Sequence, residues 1–191
     1  MNEKSRALFA VFCERVDAII DSTPRERTVT AAVGYELQSL LADPGFVLDP
    51  SVTAPDEDRY VMYPLYVHPG GHFSVASAVW NVGQSTPVHG HETWGVVGIY
   101  SGLEHEVDYV KPERPDVPLV VRGEHSFSRG EVTVCCTTDD DVHQVSCAGD
   151  QPCVGIHVYG ADIGTLRRRS YAPASGAVSW FVSQWAEPVQ V

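Results

Sequence analysis

The sequence predicts a mainly β fold in which two N-terminal helices precede an antiparallel barrel or sandwich, and two observations carry that prediction. Residues 1–45 hold apolar side chains at spacings of three and four, whereas from Arg59 onward short β-branched and aromatic runs alternate with Gly, Pro and Asp clusters. The length supports the same outline, since 191 residues suit one well-packed domain and are short for two. The expected organisation is a single domain over 1–191, with helices in 1–45 packing on a β-barrel over 59–185.

In the first helix Leu8, Phe9, Phe12, Val16, Ile19 and Ile20 share a face, while Glu3, Lys4, Glu14 and Arg15 lie mostly elsewhere. A second helix is predicted over about 28–41, with Val29, Val33, Leu37 and Leu40 in a stripe and Asp43-Pro44-Gly45 as its stop. Strands are predicted at 73–80, 94–100, 117–121, 132–135 and 153–159. His68-Pro69-Gly70-Gly71 and Gly83-Gln84-Ser85 read as hairpin turns, and 111–115 as an exposed loop. The tail holding Trp180, Phe181 and Trp185 is expected to pack back onto the barrel.

Composition narrows the function classes. A formal charge of −12 repels phosphate backbones and anionic lipid surfaces, so neither nucleic acid nor a membrane is the expected partner. No stretch approaches the roughly 18 apolar residues of a membrane helix. The N-terminus lacks an uninterrupted apolar core and does not read as a signal peptide. Cys13, Cys135, Cys136, Cys147 and Cys153 are odd in number and show no CxxC spacing, which predicts reduced thiols in a cytoplasm. The expected partner is a small molecule, and the expected assembly a monomer or small homo-oligomer.

The chemistry-bearing residues are histidines. In Gly83-x5-His89-Gly90-His91 the two imidazoles stand two apart, and alternate residues of a strand share a face, so both can point into the barrel and share a metal. His143, in Asp141-Val142-His143-Gln144-Val145, is best placed to supply a third ligand. The competing reading is an accidental HxH in a histidine-containing hairpin. His157 and Tyr159 are likewise two apart and would both face the interior, either as working groups or as a buried pair satisfying each other. His68, His72, His105 and His125 fall in or beside turns and are expected at the surface, Glu104 and Glu106 at an exposed strand edge, and Trp94 in the core or a pocket wall.

These motifs resemble the cupin superfamily, whose first motif runs glycine, five residues, HxH, three or four residues, glutamate, six residues, glycine. Gly83, His89, His91 and Gly102 fall in register, but Gly95 stands where the glutamate would be. Within cupins this loss resembles the thiol dioxygenases, and residues 59–171 look like the bacterial 3-mercaptopropionate branch of the cysteine dioxygenase family. TPVHGHETWGVVGIYSG (86–102), HQVSC (143–147) and GIHVYGADIG (155–164) carry the likeness. The resemblance implies a cupin double-stranded β-helix, a jelly-roll barrel. It also implies Fe(2+) held by His89, His91 and His143, and oxidation of a small thiol by O2 to its sulfinic acid.

It further implies roles for the pocket residues. Tyr159 would stand near the reacting groups with His157 behind it, although the serine that ends this relay in the family is Gly155 here. Arg168 matches an arginine that supports carboxylate binding, a task to which a fork-shaped guanidinium is suited. Met62 replaces the glutamine or arginine of relatives and makes the pocket more apolar, and Trp94 is placed at the substrate pocket's wall. Gly95 also occupies the position of the cysteine that is cross-linked to the tyrosine in mammalian cysteine dioxygenases, so no such cross-link is expected. Three rivals remain at this point: a zinc hydrolase or lyase, an oxygenase of a non-thiol substrate, and a ligand-binding cupin without catalytic activity.

Overall fold

Side chains that alternate in direction give the central strands two faces, and the computed structural model, which describes residues 1–112, 114, 116–137 and 141–189, shows what each face meets. Helices α1 (Glu3–Ser22) and α2 (Glu26–Ala42) lead into a short 3-10 turn (Pro50–Val52). The strands follow as β1 (Val61–Val67), β2 (Ser74–Trp80), β3 (Val88–His89), β4 (Gly95–Ser101), β5 (Leu103–Tyr109) and β6 (Val121–Ser128). Then come β7 (Val132–Cys135), β8 (Val142–Cys147), β9 (Cys153–Tyr159), β10 (Arg168–Tyr171) and β11 (Val178–Phe181).

All the pairings are antiparallel, and they build two sheets, one ordered β1-β2-β9-β4-β7 and the other β11-β10-β3-β8-β5-β6. Two facing antiparallel sheets whose strands cross back and forth make a double-stranded β-helix of the cupin type, preceded by two helices.

The helices explain why the first sheet is buried on both faces. Val154, Ile156 and Val158 of β9 pack with Phe9, Phe12, Val16, Val33 and Leu37 in one cluster, while Cys153 and Tyr159 join Ala76, Ala78 and Trp80 in the barrel interior. Gly98 is where α2 comes closest, since a Cβ there would lie 2.7 Å from Leu41 Cδ1 and 2.8 Å from Leu37 Cδ2. Strands with two covered faces read as continuous apolar runs, which is why β2, β4 and β9 are legible in the sequence, while the edge strand β7 is found by its β-branched residues.

The predicted strand at 117–121 is a correction. Only Val121 is in a strand, because the preceding backbone bonds instead to the loop between β10 and β11, Asp116 N to Gly176 O and Leu119 N to Pro173 O. Strand β6 itself is largely exposed and polar, so it lacks the pattern used to find strands. Glu113 and Pro115 of the expected 111–115 loop lie outside the described residues. The tail does return to the barrel: β11 pairs with β10, and Trp185 Nε1 donates to Asp162 Oδ1 at 3.0 Å, although Trp180 is half exposed. All five cysteines are free thiols. Among the described residues no helix is long and apolar enough to cross a membrane.

Candidate metal centre

His89 ends the two-residue strand β3, where it pairs with His143 of β8, so two imidazoles enter the interior from adjacent strands. His91 follows past Gly90, and its backbone N–H donates to the buried Asp141 carboxylate at 3.0 Å. Just beyond, Glu92 takes a left-handed conformation (φ 58°) and accepts both arms of the Arg169 fork at 2.6 and 2.8 Å. That pair holds a costly turn closed and fixes the chain direction after the HxH.

The three rings are buried, and their ligand atoms all lie within 4.8 Å of one another. His91 and His143 bring their Nε2 atoms to 3.2 Å. Two nitrogens about 2.1 Å from one metal at bond angles near 90–110° stand roughly 3.0–3.4 Å apart, so this spacing fits a shared ion. The tautomers fit as well. His89 Nδ1–H donates to Pro87 O at 3.0 Å and His143 Nδ1 is bonded to Glu106, which leaves both Nε2 lone pairs directed inward. Burial and neighbouring His143 depress the basicity of His89 and His91 well below the usual range, so they present neutral rings suited to a cation. The His89, His91 and His143 group could therefore hold a metal ion.

Glu106 corrects the expectation of an exposed strand edge. It is buried, as is Glu104, because on β5 the polar alternate residues face the interior and Leu103, His105 and Val107 face away. Burial alone would raise the Glu106 pKa, but the bond to His143 and its charge bring it below the ordinary carboxylate range. A carboxylate behind a ligand histidine orients the ring and strengthens its donation to a metal. Glu104, lacking a cation, is pushed up to about 8 by burial and by Glu106.

The facing wall supplies the other candidates. Tyr159 and His157 of β9 both point inward, with the hydroxyl 2.8 Å from Nδ1. Burial pushes Tyr159 up, and burial together with the charges of His143 and Arg168 pushes His157 down to about 3. Tyr60, Met62, Ala78, Trp80, Thr86 and Val145 complete a small chamber with the three histidines, His157, Tyr159 and Arg168. Its free volume of about 20 Å³ holds roughly one water.

Arg168 is 2% exposed, lies 4.7 Å over the Phe181 ring, and donates through Nη2 to Ser183. Its Nε has no partner, and no carboxylate pairs with it among the described residues. Arg167 and Arg169 instead lie against the exposed Trp180 ring.

Met62 thus lines the chamber, whereas Trp94 does not. Trp94 packs in the helix-facing core and against Gly160, where a Cβ would stand 2.3 Å from its Nε1. The space beside the metal rings is closed at Gly95 in another way, for a Cβ there would lie 2.7 Å from Cys135 Sγ and 3.4 Å from the Tyr159 ring. A side chain at that position requires the Cys135 sulfur to move, while its Cβ would rest at contact distance from the Tyr159 ring. His72 and His125 are exposed, and His68 and His105 are half-buried. Asp141, Glu106, Ser183 and Tyr60, whose hydroxyl is 3.0 Å from Ser183 Oγ, are contributors that sequence reasoning missed.

No family model matches the chain. Among solved structures, an uncharacterised protein with a double-stranded β-helix domain from Klebsiella pneumoniae is similar at 13% identity and a TM-score of 0.44, over 70% of this chain and 95% of its own. A Cupin 2 barrel domain protein from Salinispora arenicola matches at 18% identity and a TM-score of 0.43, over 61% of this chain and 87% of its own. A sugar phosphate isomerase of the cupin superfamily from Silicibacter pomeroyi matches at 16% identity and a TM-score of 0.47, over 75% of this chain and 85% of its own. Likenesses this distant carry nothing about the reaction.

Proposed function

We propose that the chain is an Fe(2+)-dependent thiol dioxygenase that converts a small mercapto-carboxylic acid and O2 into the sulfinic acid. The observation that carries the reading is one chamber bordered by three imidazoles, the Tyr159–His157 pair and a buried guanidinium that has no acid partner among the described residues. Ferrous iron, when bound by His89, His91 and His143, supplies the one-electron chemistry that lets dioxygen react with a thiol. A ligand set without a carboxylate leaves the ion's full charge, which favours an anionic donor from the substrate.

The chain's own residues do the rest. Arg168, already oriented by Ser183 and Phe181, meets the substrate carboxylate, because a buried cation is stabilised by an anion brought to it. The Tyr159 hydroxyl offers a hydrogen bond toward the reacting groups while His157 holds its oxygen. Met62, Ala78 and Trp80 exclude water around them. Glu106 keeps His143 in the tautomer that a metal requires.

The test is an oxygen-electrode screen of iron-loaded protein with cysteine, 3-mercaptopropionate, mercaptosuccinate and cysteamine. The expected result is one O2 consumed per thiol, sulfinate as product, and cysteamine, which lacks a carboxylate, as the poorest substrate. Bound iron with no thiol-dependent uptake overturns the reading. The apolar wall formed by Met62, Ala78 and Trp80 favours oxygenation of a non-thiol acid as the second reading, and the same electrode follows it.

A further inference from the structure

Among the described residues, the buried polar atoms without a hydrogen-bond partner include Glu104 Oε2, His157 Nε2 and Trp80 Nε1 on the inner surface of the barrel. They belong together. Glu104 enters from β5, in the sheet opposite β9, and the Trp80 and His157 rings are 5.5 Å apart. A Cβ at Gly155 would stand 2.6 Å from His157 Nε2 and 3.6 Å from Glu104 Oε2. The imidazole and the carboxyl therefore face each other across the space that a side chain at position 155 would fill, and a bond between them needs one of the two to turn toward the other. Leaving both unbonded would cost each its desolvation penalty.

The direction of the bond follows from the surroundings of Glu104. It is 1% exposed, has no cationic partner among the described residues, and stands two positions from Glu106, which keeps its charge against His143. A carboxyl in that setting keeps its proton, in line with its elevated pKa, and a protonated carboxyl can donate. We propose that Glu104, as a carboxylic acid, donates to His157 Nε2 and thereby fixes the tautomer in which Tyr159 is free to direct its own proton into the chamber. In that arrangement the Glu104 O–H donates to Nε2, Nδ1–H donates to the tyrosine oxygen, and the tyrosine O–H faces the chamber. With Nε2 protonated instead, Tyr159 would give its proton to Nδ1 and present only an acceptor. Glu104 is a positioning residue here, and its value to catalysis rests on the reading above.

The tautomer is measurable without catalysis. Full-length protein labelled with ¹⁵N-histidine and loaded with zinc, which is diamagnetic, gives long-range proton–nitrogen correlations for each ring, and the His157 signals are assigned from a His157→Asn variant. Wild type should show His157 protonated at Nδ1. Glu104→Gln, whose amide still donates, should keep that pattern, and Glu104→Leu should move the proton to Nε2. Gly155→Ala pushes the ring from its place and should produce the same change, which covers the case of a Leu variant that does not fold.

An Nε2-protonated ring in wild type, or a folded Glu104→Leu protein with unchanged signals, overturns the proposal. So does a shift caused by Trp80→Phe in place of Glu104→Leu, since the indole would then be the donor. In the iron-loaded protein Glu104→Leu should lower kcat about 10-fold at unchanged KM, with Gln restoring it. A tautomer change in a protein with no thiol activity would refute the proposed function and leave this assignment standing.

Discussion

The wall that carries the three histidines and the wall that faces it are ordered by opposite means. On the first, side chains are fixed by bonds made away from the chamber: His89 to the Pro87 carbonyl, His143 to Glu106, the His91 backbone to Asp141, and the following turn to Arg169. On the second, room decides. Ala76, Ala78 and Gly155 are small, and the larger Trp80, His157 and Tyr159 fill the space they leave. The difference teaches that changes behind the first wall should reach the metal, whereas changes in the second should reach the reaction and spare metal retention.

The largest effect should come from removing a ligand. His91→Ala or His143→Ala should leave the protein unable to retain metal after dialysis, as read by elemental analysis, with all metal-dependent activity gone. Tyr159→Phe should bind iron as wild type does and lose roughly 10²-fold in kcat. If it also lost the metal, the separation of the two walls would fail. Glu106→Ala lies between them: metal affinity should fall about 10- to 100-fold by competition with a chelator, because His143 loses the partner that sets its tautomer. Arg168→Gln should raise KM for a mercapto-carboxylate about 10-fold while changing that for cysteamine little.

The smallest effect concerns stability. Glu104 has its folded pKa raised from 4.5 to about 8, so unfolded chains ionise first and its burial weakens the fold progressively as pH rises through that window. Glu104→Gln should therefore be close to wild type in urea near pH 4.5 and about 4 kcal/mol more stable than wild type near pH 8. An equal difference at both pH values would show that Glu104 does not titrate in this way.

The helices and the doubly covered strands were legible because their apolar runs are dictated by burial on two faces. The HxH was legible because strand alternation places both rings on one side, and the histidine–tyrosine pair followed by the same rule. Strand β5 defeats that rule. LEHEVDY alternates as a half-exposed strand should, but its acidic set faces inward, since a site that needs a carboxylate behind a ligand inverts the usual polarity. The residues that hold Arg168 were hidden for a different reason. Ser183 and Tyr60 are 123 positions apart and meet only through the tail's return, which no local pattern encodes. Of the two places expected for Trp94, the core and the pocket wall, it takes the core, because it precedes β4 and packs toward the helices, a choice that adjacency to an HxH does not encode.

That returning tail gives the chamber an uncommon dependence on one thin segment. Ser183 bonds both Arg168 and Tyr60, Ala186 N donates to Met62 O, and Trp185 is tied to Asp162, so the groups that would choose a substrate are secured by residues near the end of the described chain. Among the described residues the metal ligands take no hydrogen bond from this tail, and His89 meets only the edge of the Phe181 ring. Selectivity and metal chemistry can therefore drift independently: a few replacements after β11 could redirect the protein toward another acid while the ion's coordination stays as it is.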